Sequence, residues 1–213
     1  MGKIIAFLSQ KGGVGKSTLA RAVACEASKS GLSVRLADLD VQQATSADWH
    51  RQRIACGHEP VGMVEVFAKT ADALRTAADV DLLVLDGAPR ASSGTLEAAL
   101  AADLSVLPCC PSRDDLVPGL KLACELEQHG VSRRKIVFAL VRAATKAETA
   151  DAREYIEQAG FAVLDGSLPE KPAYRQAQNE GRAVTETRWS SLNKQADRLL
   201  DSILKHLTEE AYG

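Results

Sequence analysis

The sequence predicts a single α/β domain, residues 1–213, in which helices flank both faces of a mostly parallel, twisted sheet of about seven strands. Apolar runs alternate with helical patterns along the whole chain, and this order is typical of βαβ units. Gly31, Gly130 and Gly160 each close a helical pattern just before an apolar run, where a left-handed glycine commonly ends a helix. With 46% hydrophobic and 25% charged residues, a chain of this length buries a substantial core.

Strands are predicted from the short apolar runs, and helices from apolar residues that recur on one face. The predicted strands cover residues 3–9, 33–38, 63–67, 81–86, 104–108, 135–141 and 162–167. The predicted helices cover residues 16–30, 43–56, 70–78, 92–102, 115–129, 147–159, 171–180 and 188–208. The last helix carries an apolar face opposite a face of mixed charge, which favours packing on the sheet over binding to a membrane surface.

Residues 10–18, Gln-Lys-Gly-Gly-Val-Gly-Lys-Ser-Thr, follow the first predicted strand and precede an alanine-rich helical pattern. A glycine-rich loop between a strand and a helix turns tightly and presents backbone N–H groups to phosphate oxygens. The sequence therefore predicts a nucleoside triphosphate site. Within it, Lys16 contacts the outer phosphates and the Ser17 hydroxyl is a ligand of Mg²⁺. The residues of this predicted site are Lys11, Gly12, Gly13, Val14, Gly15, Lys16, Ser17 and Thr18.

The pattern Lys-Gly-Gly-x-Gly-Lys-Ser resembles the deviant Walker A ATPases, since Gln10 replaces the first glycine of an ordinary phosphate loop and Lys11 follows it. This family includes the ParA partition proteins, the MinD cell-division proteins and the nitrogenase iron protein. In the family the early lysine reaches across a dimer interface to the phosphates held by the partner. The resemblance implies that Lys11 acts in this way and is catalytic together with Lys16 and Asp40, so that ATP binding and dimerisation are one event.

Residues 38–45 resemble the family's Asp-x-Asp-Pro-Gln-x-x-x-Thr motif, with Val41 in place of the proline. By that resemblance Asp40 positions or activates the attacking water, and Asp38 helps to hold Mg²⁺ through water. Alternation places both aspartates on one face if the strand stays extended. The alternative is that these aspartates cap the following helix.

Asp86 ends the apolar run 81–86, which resembles a Walker B strand and would bring this carboxylate to Mg²⁺. Residues 107–114 resemble the family's Pro-x-x-Pro-Ser-x-x-Asp segment, which shapes the nucleotide and dimer face. Arg142 and the segment 169–172 occupy positions where relatives build the purine pocket.

The activity that the resemblance implies is Mg²⁺-dependent hydrolysis of ATP to ADP and phosphate, which switches a homodimer. The leading interpretation is a short ParA-like ATPase that partitions plasmid or chromosomal DNA through non-specific DNA binding. A ParB-like centromere-binding or cargo adaptor protein would stimulate hydrolysis. The alternatives are a positioning ATPase for a protein cargo and a MinD-like membrane-associated regulator.

The net charge of −2 gives no global reason for nucleic acid binding, so a DNA surface would be a local patch. The candidate contacts are Arg133, Arg134, Lys135, Arg188, Lys194, Arg198 and Lys205. Residues 49–53 are a weaker candidate, because a helix with one buried aromatic explains them as well.

Five cysteines without Cys-x-x-Cys spacing are typical of a reduced, cytoplasmic protein and disfavour the iron–sulfur branch of the family. We expect a cytoplasmic, nucleoid-associated bacterial protein without stable membrane association.

Overall fold

The computed structural model describes residues 2–89 and 93–209. The strands in these ranges are β1 (Lys3–Phe7), β2 (Val34–Asp38), β3 (Met63–Val66), β4 (Leu82–Asp86), β5 (Leu104–Cys109), β6 (Ile136–Ala143), β7 (Ala162–Val163) and β8 (Leu168–Pro169). The helices are α1 (Lys16–Lys29), α2 (Thr45–Ala55), α3 (Thr70–Arg75), α4 (Ser93–Ala101), α5 (Arg113–Gln128), α6 (Lys146–Gln158), α7 (Pro172–Asn179) and α8 (Ser190–Glu209). Two short 3₁₀ helices, Thr76–Asp79 and Arg133–Lys135, precede β4 and β6.

The strands form one sheet in the order β3-β2-β4-β1-β5-β6-β7, with β8 pairing beside the end of β6. Every pairing between described strands is parallel, as the alternating sequence pattern predicted. Phe7 and Asp38, at the ends of β1 and β2, are both register partners of Asp86 at the end of β4. The loop after β1 and the two aspartates therefore meet at the carboxyl edge of the sheet, where α/β folds bind their ligands.

Two apolar layers cover the sheet and bury its central strands on both faces, whereas the edge strand β3 is largely exposed. Helices α1, α2, α7 and α8 pack on one face, and helices α3 to α6 pack on the other. The predicted apolar face of the last helix is confirmed, since Ala196, Leu199, Leu200, Ile203 and Leu207 are buried in the first layer. Helix α8 is thus a core element.

The seventh predicted strand, residues 162–167, is shorter in the structure. It ends after Val163, where the chain leaves β6 through a segment that contains Gly166 (φ +84°). The chain then pairs with β6 again further along, in the same direction, as β8, which the sequence pattern did not indicate. Gly31, Gly130 and Gly160 all have positive φ, so the predicted glycine helix ends are confirmed.

Candidate active site

The loop between β1 and α1 has the conformation that a phosphate cradle requires. Gly13 (φ +75°) and Gly15 (φ +93°) adopt backbone angles that L-residues rarely reach, and Gly15 is the last residue before α1. Gly12 has open space around its Cα, whereas Val14 is buried and anchors the loop. The first turn of the 14-residue α1 directs its free N–H groups and its positive dipole end into the same loop.

Lys16, the first residue of α1, is almost fully buried, with 6% of its surface exposed. Its Nζ donates to the backbone carbonyl of Lys11 at 3.0 Å, and burial lowers the pKa of its ammonium group. A desolvated cation without a carboxylate contact is stabilised strongly by an anion, because burial removes the competing water. The loop is therefore built to receive phosphate.

Lys11 is bound within its own chain. Its Nζ donates to Oδ1 of Asp115 at 2.8 Å, and this hydrogen bond raises the pKa of the lysine. Partial burial alone would raise the pKa of Asp115, but the hydrogen bonds from Lys11 and Ser112 lower it. Asp115 stands at the last position of the Pro-x-x-Pro-Ser-x-x-Asp pattern, counted from Pro108. The lysine predicted to reach a partner is thus held on the N-terminal turn of α5.

Asp86 is buried at the end of β4, and its Oδ1 has no hydrogen-bond partner in the structure. Desolvation raises the pKa of this carboxyl group to about 6, although the hydrogen bond from Ser46 and the nearby Ser17 hydroxyl act in the opposite direction. A buried carboxylate oxygen without a partner, beside a serine hydroxyl, fits a hydrated Mg²⁺ ion as the fold family implies. Among the described residues no cluster of three or more His, Cys, Asp or Glu side chains suits a metal.

Asp38 is buried and caps α2. Its Oδ2 accepts hydrogen bonds from the backbone N–H groups of Ser46 (2.8 Å) and Ala47 (3.3 Å), and its Oδ1 accepts from that of Asp40 (3.1 Å). The capping alternative is therefore confirmed for Asp38. These three bonds leave Oδ1 with one further lone pair, so a bond from a metal-bound water stays a prediction for this carboxylate.

Asp40 lies outside β2, because the strand ends at Asp38 and the chain turns there. The alternation argument therefore does not extend to Asp40. Its Oδ1 accepts from the N–H of Gln43 at 3.2 Å, its carbonyl accepts from that of Ala44 at 2.7 Å, and it remains half-buried. The side chain is accessible at the carboxyl edge, as a residue that orients water must be.

Sequence reasoning missed Ser46, whose Oγ donates to Oδ2 of Asp86 at 2.6 Å. The family motif Asp-x-Asp-Pro-Gln-x-x-x-Thr points to this residue. Three residues separate the Gln and the Thr of the motif, so that after Gln42 its last position falls on Ser46 and not on Thr45. It also missed Arg21, a buried residue of α1 whose Nε donates to the same serine oxygen at 3.0 Å. Both residues come from helices that the sequence alone could not bring together.

A cleft beside the phosphate loop matches the position predicted for the purine pocket. Thr18 lies at its inner end and donates to Oε1 of Gln178 in α7 at 3.1 Å, which ties the loop to the cleft wall. Arg142, which lines the cleft, has a positive φ of 54°. The lining residues include Gly15, Thr18, Val141, Arg142, Pro169, Lys171, Tyr174 and Gln178.

A family model described as the CobQ/CobB/MinD/ParA nucleotide binding domain matches residues 5–184. The chain belongs to this family. The sequence-based resemblance to ParA and MinD proteins is thus confirmed, and the CobQ/CobB/MinD/ParA match spans β1 to the segment after α7.

Solved structures similar to this member of the family share its fold at low sequence identity. The MinD protein of Pyrococcus horikoshii OT3 with Mg-ADP is 18% identical, with TM-score 0.74 and full coverage of both chains. A McdA variant from Cyanothece in complex with ATP is 18% identical, with TM-score 0.70, over 95% of this chain and 96% of that one. A proposed plasmid partition protein of Borrelia burgdorferi B31 bound to AMPPNP is 18% identical, with TM-score 0.73, over 96% and 99%. No curated protein matches the sequence significantly.

The basic residues predicted to contact DNA do not form one patch. Arg133 donates two hydrogen bonds to Glu127 and stacks over Phe161, in the layer of α3 to α6. Lys194 and Arg198 are exposed on α8, in the opposite layer.

Trp49 and Arg53 are buried, so the alternative of a helix with a buried aromatic is confirmed. Across the described residues, no helix has the length and apolar character needed to cross a bilayer.

Proposed function

We propose that the protein is an ATP-dependent dimerisation switch with slow Mg²⁺-dependent hydrolysis, which acts as a ParA-like partition ATPase. The observation that carries the proposal is the pair of lysines at the phosphate loop. Lys16 is buried without a carboxylate contact, whereas Lys11 points out of the loop to an exchangeable partner, Asp115. In a phosphate-loop enzyme that works without a dimer partner, the second lysine, Lys11, would have no assigned role.

The roles in hydrolysis follow from where each side chain lies. Lys16 and the N–H groups of residues 12–17 neutralise and orient the phosphates, which is most of what phosphoryl transfer requires of a protein. Ser17 and Asp86 would hold Mg²⁺, which supplies further charge neutralisation at the outer phosphates. Asp40 lies accessible at the carboxyl edge and orients the attacking water. The bound nucleotides of the MinD, McdA and Borrelia proteins support ATP as the ligand.

Dimerisation requires Lys11 to leave Asp115. The side chain of Lys11 is 40% exposed and that of Asp115 is 18% exposed, so solvent screens their ion pair and it contributes little to stability. The phosphates of a partner would offer Lys11 more negative charge than one carboxylate does. Lys11 therefore exchanges Asp115 for the partner's phosphates at little cost once ATP is bound on both protomers.

The DNA surface is assigned to Lys194 and Arg198, which stand one helical turn apart on the exposed face of α8. Arg133 and Arg188 are occupied by Glu127 and Glu180, which makes them weaker candidates. Phosphate contacts by two cations predict that DNA affinity falls steeply with salt. Because Arg133 and Arg188 are bound in ion pairs, fewer cations are available for DNA. This favours a second candidate function, an ATPase that positions a protein cargo.

Light scattering on a sizing column tests the switch with AMPPNP and Mg²⁺. We expect the wild-type chain to become a dimer, Lys16→Ala to lose nucleotide binding, and Lys11→Ala to bind nucleotide as a monomer. Lys121→Ala is the matched control, since that lysine is 71% exposed on α5 and should change nothing. A wild-type protein that stays monomeric when saturated with AMPPNP would overturn the proposal.

DNA binding is tested separately on the AMPPNP dimer by fluorescence anisotropy with random-sequence duplex DNA at several salt concentrations. The double variant Lys194→Glu/Arg198→Glu should bind much more weakly and with a shallower salt slope, whereas Arg134→Glu should not. Affinity of the wild-type dimer that does not depend on salt would refute the DNA role and favour the protein cargo.

A further inference from the structure

Ser46 is a fully buried serine in the first turn of α2 and is not one of the site residues predicted from the sequence. Its backbone N–H donates to Oδ2 of Asp38, and its hydroxyl contacts both Asp86 and Arg21. Asp38 and Asp86 end neighbouring strands as direct register partners, so their carboxylates lie side by side. One residue therefore holds both carboxylates at the edge of the phosphate site.

The direction of these hydrogen bonds is fixed by chemistry. A guanidinium group only donates, so the Ser46 oxygen accepts from Nε of Arg21 at 3.0 Å. The single hydroxyl proton is then directed to Oδ2 of Asp86, and the 2.6 Å distance is that of a hydroxyl bonded to a carboxylate. The chain of donors runs from Arg21 through Ser46 to Asp86.

This chain leaves Asp86 with one satisfied and one free oxygen. Oδ2 is occupied by Ser46, whereas Oδ1 is buried without a partner. A buried polar atom without a partner is costly and is rare unless a ligand or water completes it. The bond from Ser46 also stops the carboxylate from rotating, so the free oxygen is presented in one orientation.

We propose that Ser46, oriented by Arg21, is a positioning residue for magnesium: it fixes the Asp86 carboxylate so that Oδ1 is available to the ion or its water. The inference rests on the proposed nucleotide site and deepens it. Removal of the serine hydroxyl should weaken the binding of Mg²⁺ at the nucleotide site, so that more Mg²⁺ is needed to enhance nucleotide binding. The metal-free interaction with phosphate should stay intact, since Lys16 and the loop N–H groups do not contact Ser46.

The test measures binding of a fluorescent ATP analogue carrying a methylanthraniloyl group, first in EDTA and then during a titration with Mg²⁺. Ser46→Ala should raise the Mg²⁺ concentration for half-maximal enhancement about tenfold or more, as loss of a group that orients a metal ligand commonly does. Affinity in EDTA should stay within about twofold of wild type, because the phosphate contacts remain. Electron paramagnetic resonance with Mn²⁺ and ATP provides a second readout that is independent of hydrolysis.

Three further variants make the result specific. Ser46→Thr keeps the hydroxyl and should restore the wild-type Mg²⁺ requirement. Ser46→Cys keeps the side-chain size with a weaker donor, and it should shift the requirement in the same direction as alanine even if Ser46→Ala fails to fold. Ser105→Ala is the matched control, since Ser105 is also fully buried but its hydroxyl has no partner.

The proposal is overturned if folded Ser46→Ala or Ser46→Cys keeps the wild-type Mg²⁺ requirement. It is equally overturned if affinity falls as much in EDTA as in Mg²⁺, because the serine then acts on the whole loop. Failure of the wild-type chain to bind the ATP analogue at all would instead refute the proposed function on which the inference depends.

Discussion

Replacing Glu186 by glutamine should remove the central anion of a partly buried ion cluster that fixes α2 to the rest of the domain. Oε2 of Glu186 accepts from Nη1 of Arg53 at 2.7 Å and from the N–H of Ala183 at 2.8 Å. Oε1 accepts from Nη2 of Arg53 and lies 3.0 Å from Nζ of Lys29. The side chains of Arg53 and Glu186 are 4% and 19% exposed, so solvent screens the pair poorly.

The magnitude follows from the pKa of Glu186. Burial alone would raise this pKa, but the hydrogen bonds from Arg53, Ala183 and Lys29 lower it from 4.5 to about 2. A shift of that size corresponds to about 3 kcal/mol of stabilisation of the folded, ionised form. It matches the range of about 3–5 kcal/mol for loss of one partner of a buried ion pair.

The sign of the pH dependence is set by the lowered pKa. The stabilisation is complete above the unfolded pKa of about 4.5 and is lost as the pH falls towards the folded pKa of about 2. Glu186→Gln should therefore be about 3 kcal/mol less stable than wild type at pH 7, and the deficit should shrink to about half by pH 3.

Thermal unfolding followed by circular dichroism from pH 7 to pH 3 measures this difference. A loss of this size should lower Tm by about 6–12 °C in a domain of this length. Glu180→Gln is the control, because its contacts with Arg182 and Arg188 are 3.4 and 3.6 Å long at the surface, and it should change stability by less than about 0.5 kcal/mol. Equal stability of Glu186→Gln and wild type at pH 7, or a deficit that does not change with pH, would refute the reasoning.

Three other variants, together with one control, test the site and the packing around it. Asp40→Ala should dimerise with ATP and lose turnover by at least about 100-fold in a phosphate-release assay, since it removes only the group that orients water; undiminished turnover would remove Asp40 from the mechanism. Asp115→Asn should release Lys11 and strengthen ATP-dependent dimerisation about two- to fivefold by analytical ultracentrifugation; a weaker dimer would show that Asp115 acts in the interface itself. Gly181→Ala should abolish folding or cost at least about 3 kcal/mol in urea, because its Cβ would lie 2.3 Å from the α2 backbone at φ +72°. Gly57→Ala, with φ +75° and open space, should cost only about 1 kcal/mol.

The sequence was sufficient for the fold class and for the phosphate loop because both depend on local patterns. The alternation of apolar runs and helical faces predicted a parallel sheet, and the order of strand, glycines, Lys16 and helix predicted an anion site. The residues at the ends of β2 and β4 were also located, since carboxyl ends of parallel strands meet at one edge.

Partnerships between distant segments could not be predicted from those patterns. The pairing of Lys11 with Asp115, the capping of α2 by Asp38, and the buried contact between Arg21, Ser46 and Asp86 each join parts of the chain that only packing brings together. A short motif specifies which groups a loop offers, because spacing along the chain fixes local geometry. Which buried carboxylate oxygen keeps an unused hydrogen-bonding position is decided by the hydrogen bonds of the folded state, and the tertiary structure alone shows that Oδ1 of Asp86 has no such partner.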